Sequence, residues 1–222
     1  MFETAKKLID GASSIIVVQA ENPDGDSLGS ALALEEILGD LGKNIQLHCP
    51  IELPKYLRYI SGWDRVTTEL NTSADLIIIV DTTAEVLLSK TLDLPGARAF
   101  FESTPTLVID HHISESTLTF PCEIVSEQAV STSQVIYNMS TENNWSVNAQ
   151  AAENMLIALM SDSRGLTTQN STAESFFVAG KLTELGASNA AIEERRREFM
   201  KKAPEILEYK GELIRRIEYY LD

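Results

Sequence analysis

The chain has 222 residues, enough for one large domain or one domain with a short appendage. Apolar residues make up 44% of it, which supports a real core and argues against wholesale disorder. A formal net charge of -15 excludes a general basic surface for long nucleic acid, while short or mononucleotide ligands, whose phosphates would meet local metal ions, stay open. From the N-terminus, Met1 to Lys7 has no apolar leader core, and no stretch approaches 18 apolar residues. A cytoplasmic chain without a membrane partner is the expectation. Leu8 to Ser14 reads as the end of a short first helix. Ile15 to Val18 is a continuous apolar run, the signature of a buried parallel strand. The turn Asn22 to Asp26 follows, and Ser27 opens a helix. Its apolar stripe is Leu28, Ala31, Leu32, Leu38 and Leu41, and Gly42 stops it. A strand at Ile45 to Leu47 completes a βαβ unit.

Residues 50–63 read as a short helix or turn region with aromatics. Ala74 to Val80 is the clearest strand, Val86 to Leu88 starts a short helix, and Pro95 breaks the stretch behind it. Thr106 to Ile109 and Cys122 to Val125 return to strand. Cys49 and Cys122 form no CxxC pair or zinc-finger spacing and read as thiols of a reducing compartment. From Gln128 the period becomes helical, first at Val130, Val135, Ile136 and Met139. Further helices are predicted over 148–160, 172–185, 189–199 and 205–221. The expected fold is α/β, a mostly parallel sheet flanked by helices, with a helical C-terminal extension. No Gly/Ser-rich linker marks a boundary; residues 1–187 form the expected domain and 188–222 the extension or linker remnant.

The acids fall at special places. Asn22-Pro23-Asp24-Gly25-Asp26 follows the first strand, Asp81 ends the 74–80 strand and Asp110-His111-His112 ends the 106–109 strand. Asp162 follows the apolar stretch Leu156 to Met160. In open α/β sheets ligands bind beyond the carboxyl ends of strands, and three of the four motifs are placed there. Acids crowd together when a cation holds them, and Asp with His suits manganese, iron, cobalt or zinc. Asp24 and Asp26, one residue apart in a turn, can aim at two ions, and Asp81 can bridge them. Two ions about 4 Å apart clamp a phosphoryl oxygen and activate a water. Phosphoester or phosphoanhydride hydrolysis is the reaction class that follows. Gly25 is read as permitting the turn between the aspartates. Gly29 is read as allowing close approach of a phosphate or another backbone. Ser27 and Ser30 are candidates for capping the helix or touching the phosphate, and Arg164 is a further candidate substrate contact.

Asn-Pro-Asp-Gly-Asp-Ser-Leu-Gly-Ser at 22–30, Val-Asp-Thr at 80–82, Asp-His-His at 110–112 and Ser-Asp-Ser-Arg-Gly at 161–165 resemble the motifs of the DHH phosphoesterase superfamily. The resemblance runs from about residue 10 to about residue 200. It is nearest to the branch of oligoribonucleases, phosphoadenosine phosphate phosphatases and cyclic dinucleotide phosphodiesterases, and the stretch Thr167 to Thr172 also resembles that branch. The resemblance implies that Asp24 binds one metal, Asp26 the other, and Asp81 both. It implies that His111 and Asp162 complete the Asp26 side, that Asp110 supports the ligand histidine, and that His112 contacts the phosphate or protonates the leaving group. Manganese is the implied metal and a small nucleotide or short oligonucleotide the implied substrate. The family often forms dimers, so a homodimer is compatible with it, although the terminal helices do not demand one.

Two departures qualify the resemblance. The family's first motif starts with a histidine two residues before the Asn, and Ala20 stands in that place. Gln19 and Glu21 should point the other way on an extended segment. The Asp24 side is therefore expected to be weak or absent, beside one strong site of Asp26, Asp81, His111 and Asp162. The branch also carries a second, smaller domain that reads the substrate. The sequence runs to Asp222 without that domain's glycine-rich, histidine-containing motif, so a substrate-reading part is expected to be missing. Two functions follow: a metal-dependent phosphohydrolase weakened at its first motif, or a catalytically impaired nucleotide- or metal-binding protein of the same fold.

Overall fold

The computed structural model describes residues 2–218. Its sheet contains β1 (Ser14–Val18), β2 (Asn44–His48), β3 (Val66–Thr67), β4 (Leu76–Val80), β5 (Thr106–Asp110) and β6 (Glu123–Ser126). The spatial order is β3-β2-β1-β4-β5-β6, and every pairing is parallel. The chain starts in the middle, walks outward through β2 and β3, then returns to the other flank of β1 with β4. Strand order therefore reverses between β1 and β4, and the carboxyl ends of these two strands frame a crevice.

Parallel strands need crossovers, and these put helices on both faces. Alternation along β4 splits its apolar side chains between two cores. Leu76, Ile78 and Val80 join the larger one, with α2 (Gly25–Asp40), α5 (Thr132–Glu142), α6 (Ala149–Asp162) and α7 (Ala173–Glu184). Ile77 and Ile79 join the smaller one, where Leu92 of α3 (Ser89–Leu92) and Phe100 and Phe101 of α4 (Ala97–Ser103) pack. α1 (Glu3–Gly11) contributes Ala5 and Ile9 to the larger core. α8 (Asn189–Phe199) contributes Ile192, while α9 (Pro204–Arg215) buries nothing among the described residues.

Several boundaries differ from the sequence expectation for physical reasons. α1 stops at Gly11, because the Asp75 carboxylate accepts the Ser13 and Ser14 N–H groups at 3.1 and 3.0 Å and starts β1 there. α2 begins at Gly25 rather than Ser27. Asp24 is its cap, accepting from the Asp26 and Ser27 N–H groups at 2.9 and 3.0 Å, while Ser27 Oγ accepts the Asp24 N–H at 3.0 Å. Leu41 is not on the apolar stripe; it caps the C-terminus of α2 and is exposed. α2 is instead buried almost all round in its first half, because it lies between the sheet and α6. The two-residue strand β3 was not anticipated. α6 runs to Asp162, so that acid sits in the last turn of a helix. α9 ends at Arg215, and residues 219–221 of the predicted last helix lie outside the described residues.

Candidate metal centre

The crevice between β1 and β4 collects the acids. Asp26, in the first turn of α2, is 1% exposed, yet its carboxylate is fully addressed. Oδ2 accepts the Thr132 N–H at 2.7 Å, and Oδ1 accepts the Ser133 N–H at 3.3 Å and the Ser30 hydroxyl at 3.1 Å. The N-terminus of α5 is thus aimed at Asp26, a geometry that favours an anion. The same Thr132 donates its hydroxyl to Asp81 Oδ1 at 3.0 Å. Asp81 leaves β4 with φ 64, a left-handed conformation in which Asp is enriched but which still costs ~1–3 kcal/mol. Its N–H donates to the Ile109 carbonyl at 3.0 Å, which keeps it at the sheet tip.

His111 faces these acids. Its Nδ1 lies 3.2 Å from the Ala129 carbonyl, an interaction that only an Nδ1–H can make. Nε2 is the ring atom left to face the acids. It is buried, without a hydrogen-bond partner, and lies 3.5 Å from Asp162 Oδ2, 3.6 Å from Asp81 Oδ1 and 3.8 Å from Asp26 Oδ2. Asp110 is fully buried behind the pair of histidines. Its Oδ1 accepts from the backbone N–H groups of His111 and His112 at 2.8 and 3.2 Å, and pairs with His112 Nδ1 at 2.7 Å. It therefore steadies the ring of His112; the ring of His111 is steadied by Ala129 instead.

Electrostatics follow from the crowding. Burial, only partly offset by His111 and by the Thr132 N–H, pushes Asp26 up to about 6. Burial and then the charges of Asp26, Asp24 and Asp110 hold Asp81 well above the usual carboxylate range. Asp162 is also raised, chiefly by burial. Asp110 moves the other way: its bonds from His112 outweigh the upward pull of burial. The Asp110 carboxylate in turn raises His112, favouring the imidazolium. Three acids pushed upward around one unpartnered imidazole nitrogen are a donor set that lacks a positive charge. Asp oxygens plus a histidine nitrogen whose ring is fixed by a carbonyl on its other N–H fit a divalent cation. Two overlapping groups have ligand atoms within 4.8 Å of one another: Asp26, His111 and Asp162, and Asp81, Asp110, His111 and His112.

The remaining predicted residues are placed as follows. Asp24 is in neither group; one of its oxygens caps α2. Ala20 is buried and contributes a methyl group, while its carbonyl lies 3.6 Å from Cys49 Sγ. Glu21 turns away, accepting the Lys90 N–H at 3.1 Å. Ser27 spends its hydroxyl in the cap and Ser30 on Asp26. Gly25 is helical, so it is not needed for a sharp turn; a Cβ there would come 2.3 Å from Ser161 Oγ. Gly29 serves backbone approach, since a Cβ would lie 2.6 Å from the Asn154 carbonyl oxygen of α6. Arg164, at φ 50, follows the centre and lines a neighbouring cavity. Thr132 and Ser133 were missed. Ser131-Thr132-Ser133 before an apolar helix is a legible cap, but nothing in the sequence aims it at an aspartate 106 residues away.

Fold and donors together define a doubly wound α/β protein with a candidate divalent-metal centre at its switch point. Residues 14–159 match the DHH family, N-terminal domain, and the chain belongs to that family. It is 29% identical over 183 residues to a probable manganese-dependent inorganic pyrophosphatase of Enterococcus faecalis, covering 80% of this chain and 57% of that protein. It is 25% identical over 182 residues to the bifunctional oligoribonuclease and PAP phosphatase NrnA of Bacillus subtilis, covering 81% of this chain and 55% of that one. The chain thus spans a little over half the length of these curated relatives. The crystal structure of an exopolyphosphatase-related protein from Bacteroides fragilis superposes with a TM-score of 0.85 at 21% identity, over 99% of this chain and 66% of that one. No helix among the described residues is long and apolar enough to cross a membrane.

Proposed function

We propose that the chain is a metal-dependent phosphohydrolase acting on a small nucleotide or short oligonucleotide. The observation that carries this reading is the unpartnered, buried Nε2 of His111 within 3.8 Å of three aspartates. Asp26, Asp81, His111 and Asp162 would hold the cation, with manganese favoured by the similarity to a protein described as manganese-dependent. A divalent cation held there supplies Lewis-acid activation of a phosphoryl group and of a water. Thr132 and Ser133 keep Asp26 oriented as a ligand, and Thr132 does the same for Asp81. His112, half-exposed and held by Asp110, presents a proton and a positive charge to a departing or transferring oxygen. Its two free thiols suit the reducing cytoplasm.

A second reading, an impaired nucleotide- or metal-binding protein, is favoured by Ala20 and by the absence of Asp24 from both ligand groups. Measuring bound manganese per chain and manganese-dependent hydrolysis of a generic phosphodiester, a 3',5'-bisphosphate and a dinucleotide separates the two. The hydrolase reading expects turnover by the wild type that Asp26→Asn abolishes. A wild type that binds one metal and is inert, with Ala20→His binding two and turning over, supports the second reading. Failure of both proteins to retain metal overturns the ligand assignment.

A further inference from the structure

Among the described residues, nothing covers one side of α9. Beyond Ile192 no described residue is buried, and Ile206, Leu207, Leu213 and Ile214 of α9 are 47–67% exposed. At about 100° per residue these four share one side of the helix, with the stem of Lys210 between them. Ile217, 55% exposed, extends that side just past the helix end. Glu208, Glu212 and Arg215 stand on the opposite side. An apolar side of this kind on a chain of net charge -15 is what an interaction surface looks like.

The charges of α9 identify the occupant. Glu205 lies in its first turn, and Arg216 caps its C-terminus. They are about three turns apart and therefore on the same flank of the apolar side. Two copies packed antiparallel about a two-fold axis bring like flanks together. With that axis between Lys210 and Gly211, Glu205 of each copy meets Arg216 of the other, and Leu207 meets Ile214. A parallel pair would instead set Glu205 against Glu205 and Arg216 against Arg216, which repel. The helix is thus complementary to itself in one direction only. Arg216 can be recruited, because its contact with Glu212 is an exposed ion pair at 3.9 Å. Lys210 falls near the axis, where a lysine fixes register at a cost in affinity. α9 is about 18 Å long, too short to bury the ~800 Å2 per partner of a standard interface, so the pairing belongs in the micromolar range.

We propose that α9 is a self-association surface, its apolar side covered by α9 of a second copy running antiparallel, with a Glu205–Arg216 pair at each end. The inference does not depend on the phosphohydrolase reading. Sedimentation velocity of the full chain across micromolar concentrations tests it. The wild type should dimerise, and Leu213→Asp should leave it monomeric. Glu205→Arg and Arg216→Glu should each weaken the dimer about tenfold. The double exchange should restore it, because within one copy the two residues are roughly 16 Å apart and only a second copy can pair them. Lys210→Leu should tighten the dimer about tenfold. All five variants should melt with the wild-type monomer, since α9 buries nothing in the core. A wild type that stays monomeric, a dimer indifferent to Leu213→Asp, or charge reversals that the double exchange fails to rescue overturns the proposal. So does a monomeric chain that floats with phosphatidylglycerol vesicles and loses them on Leu213→Asp, which would make a membrane surface the occupant.

Discussion

Thr132 joins the two acids that the sequence could only place at separate strand tips. Its N–H reaches Asp26 and its hydroxyl reaches Asp81, so one residue sets both carboxylates around His111. Thr132→Val keeps the shape and the N–H but removes the donor to Asp81. A hydrogen bond to a charged group is worth about 1.5–3 kcal/mol, so manganese affinity should fall roughly 10- to 100-fold. Thr132→Ser, which retains the hydroxyl, should recover most of it. Titration followed by the loss of the free manganese EPR signal reads both. Equal affinities in Thr132→Val and wild type would show that Asp81 needs no such support. The candidate ligands Asp26, Asp81 and His111 were readable because each follows or ends an apolar strand, and Asp162 because it ends an apolar run; Thr132 was not, because its role exists only once α5 is folded against α2.

The contact between α2 and α6 is the element on which the centre depends, since one helix carries Asp26 and the other ends at Asp162. Gly29 makes that contact close: a Cβ would also lie 2.9 Å from Ala158 Cβ, and neither it nor the Asn154 backbone can step aside cheaply. Gly29→Ala should destabilise the fold by about 1–3 kcal/mol, the cost of overpacking, even though alanine favours helix. Urea unfolding measures it, and an unchanged or higher midpoint would refute the packing role. The periodicity predicted both helices, but as one-sided stripes. Burial of the first half of α2 on nearly all sides, and of α6 over Asn154–Leu159, follows from layering against the sheet, which a hydrophobic pattern alone does not reveal.

At the scale of the whole molecule, the buried acids make stability depend on pH and metal in opposite directions. Asp26 sits at about 6 in the folded chain against an ordinary 3.8, so between those values the folded state binds more protons than the unfolded one. The metal-free fold therefore loses stability as pH rises from about 4 through 6, by on the order of 3 kcal/mol from this group. Asp81, raised by burial and by neighbouring acids, adds to the same trend. Saturating manganese at pH 7 should reverse the loss, by about 2.7 kcal/mol at a hundredfold excess over its Kd. Melting temperatures between pH 4.5 and 7.5, with chelator and with manganese, test this. Asp26→Asn should flatten the chelated profile, and a wild-type profile parallel to that of Asp26→Asn would sink the idea.

The sequence alone determined the strands 15–18, 74–80 and 106–109, the parallel α/β class and the identity of the acids and histidines, because apolar runs and turn residues are local signals. It also exposed Ala20 as a position that offers no ligand. Tertiary structure decided what those residues do together. It turned Asp24 into a helix cap, put Asp110 behind His112, assigned the Ala129 carbonyl to His111, and opened a cavity between α6 and α8 beside the centre. The Asp24 cap and the Asp110–His112 bond are local contacts, one of several each residue could make, and only the folded turn selects them; the Ala129 contact and the cavity join separate elements, and such distances are not encoded in any short stretch of chain.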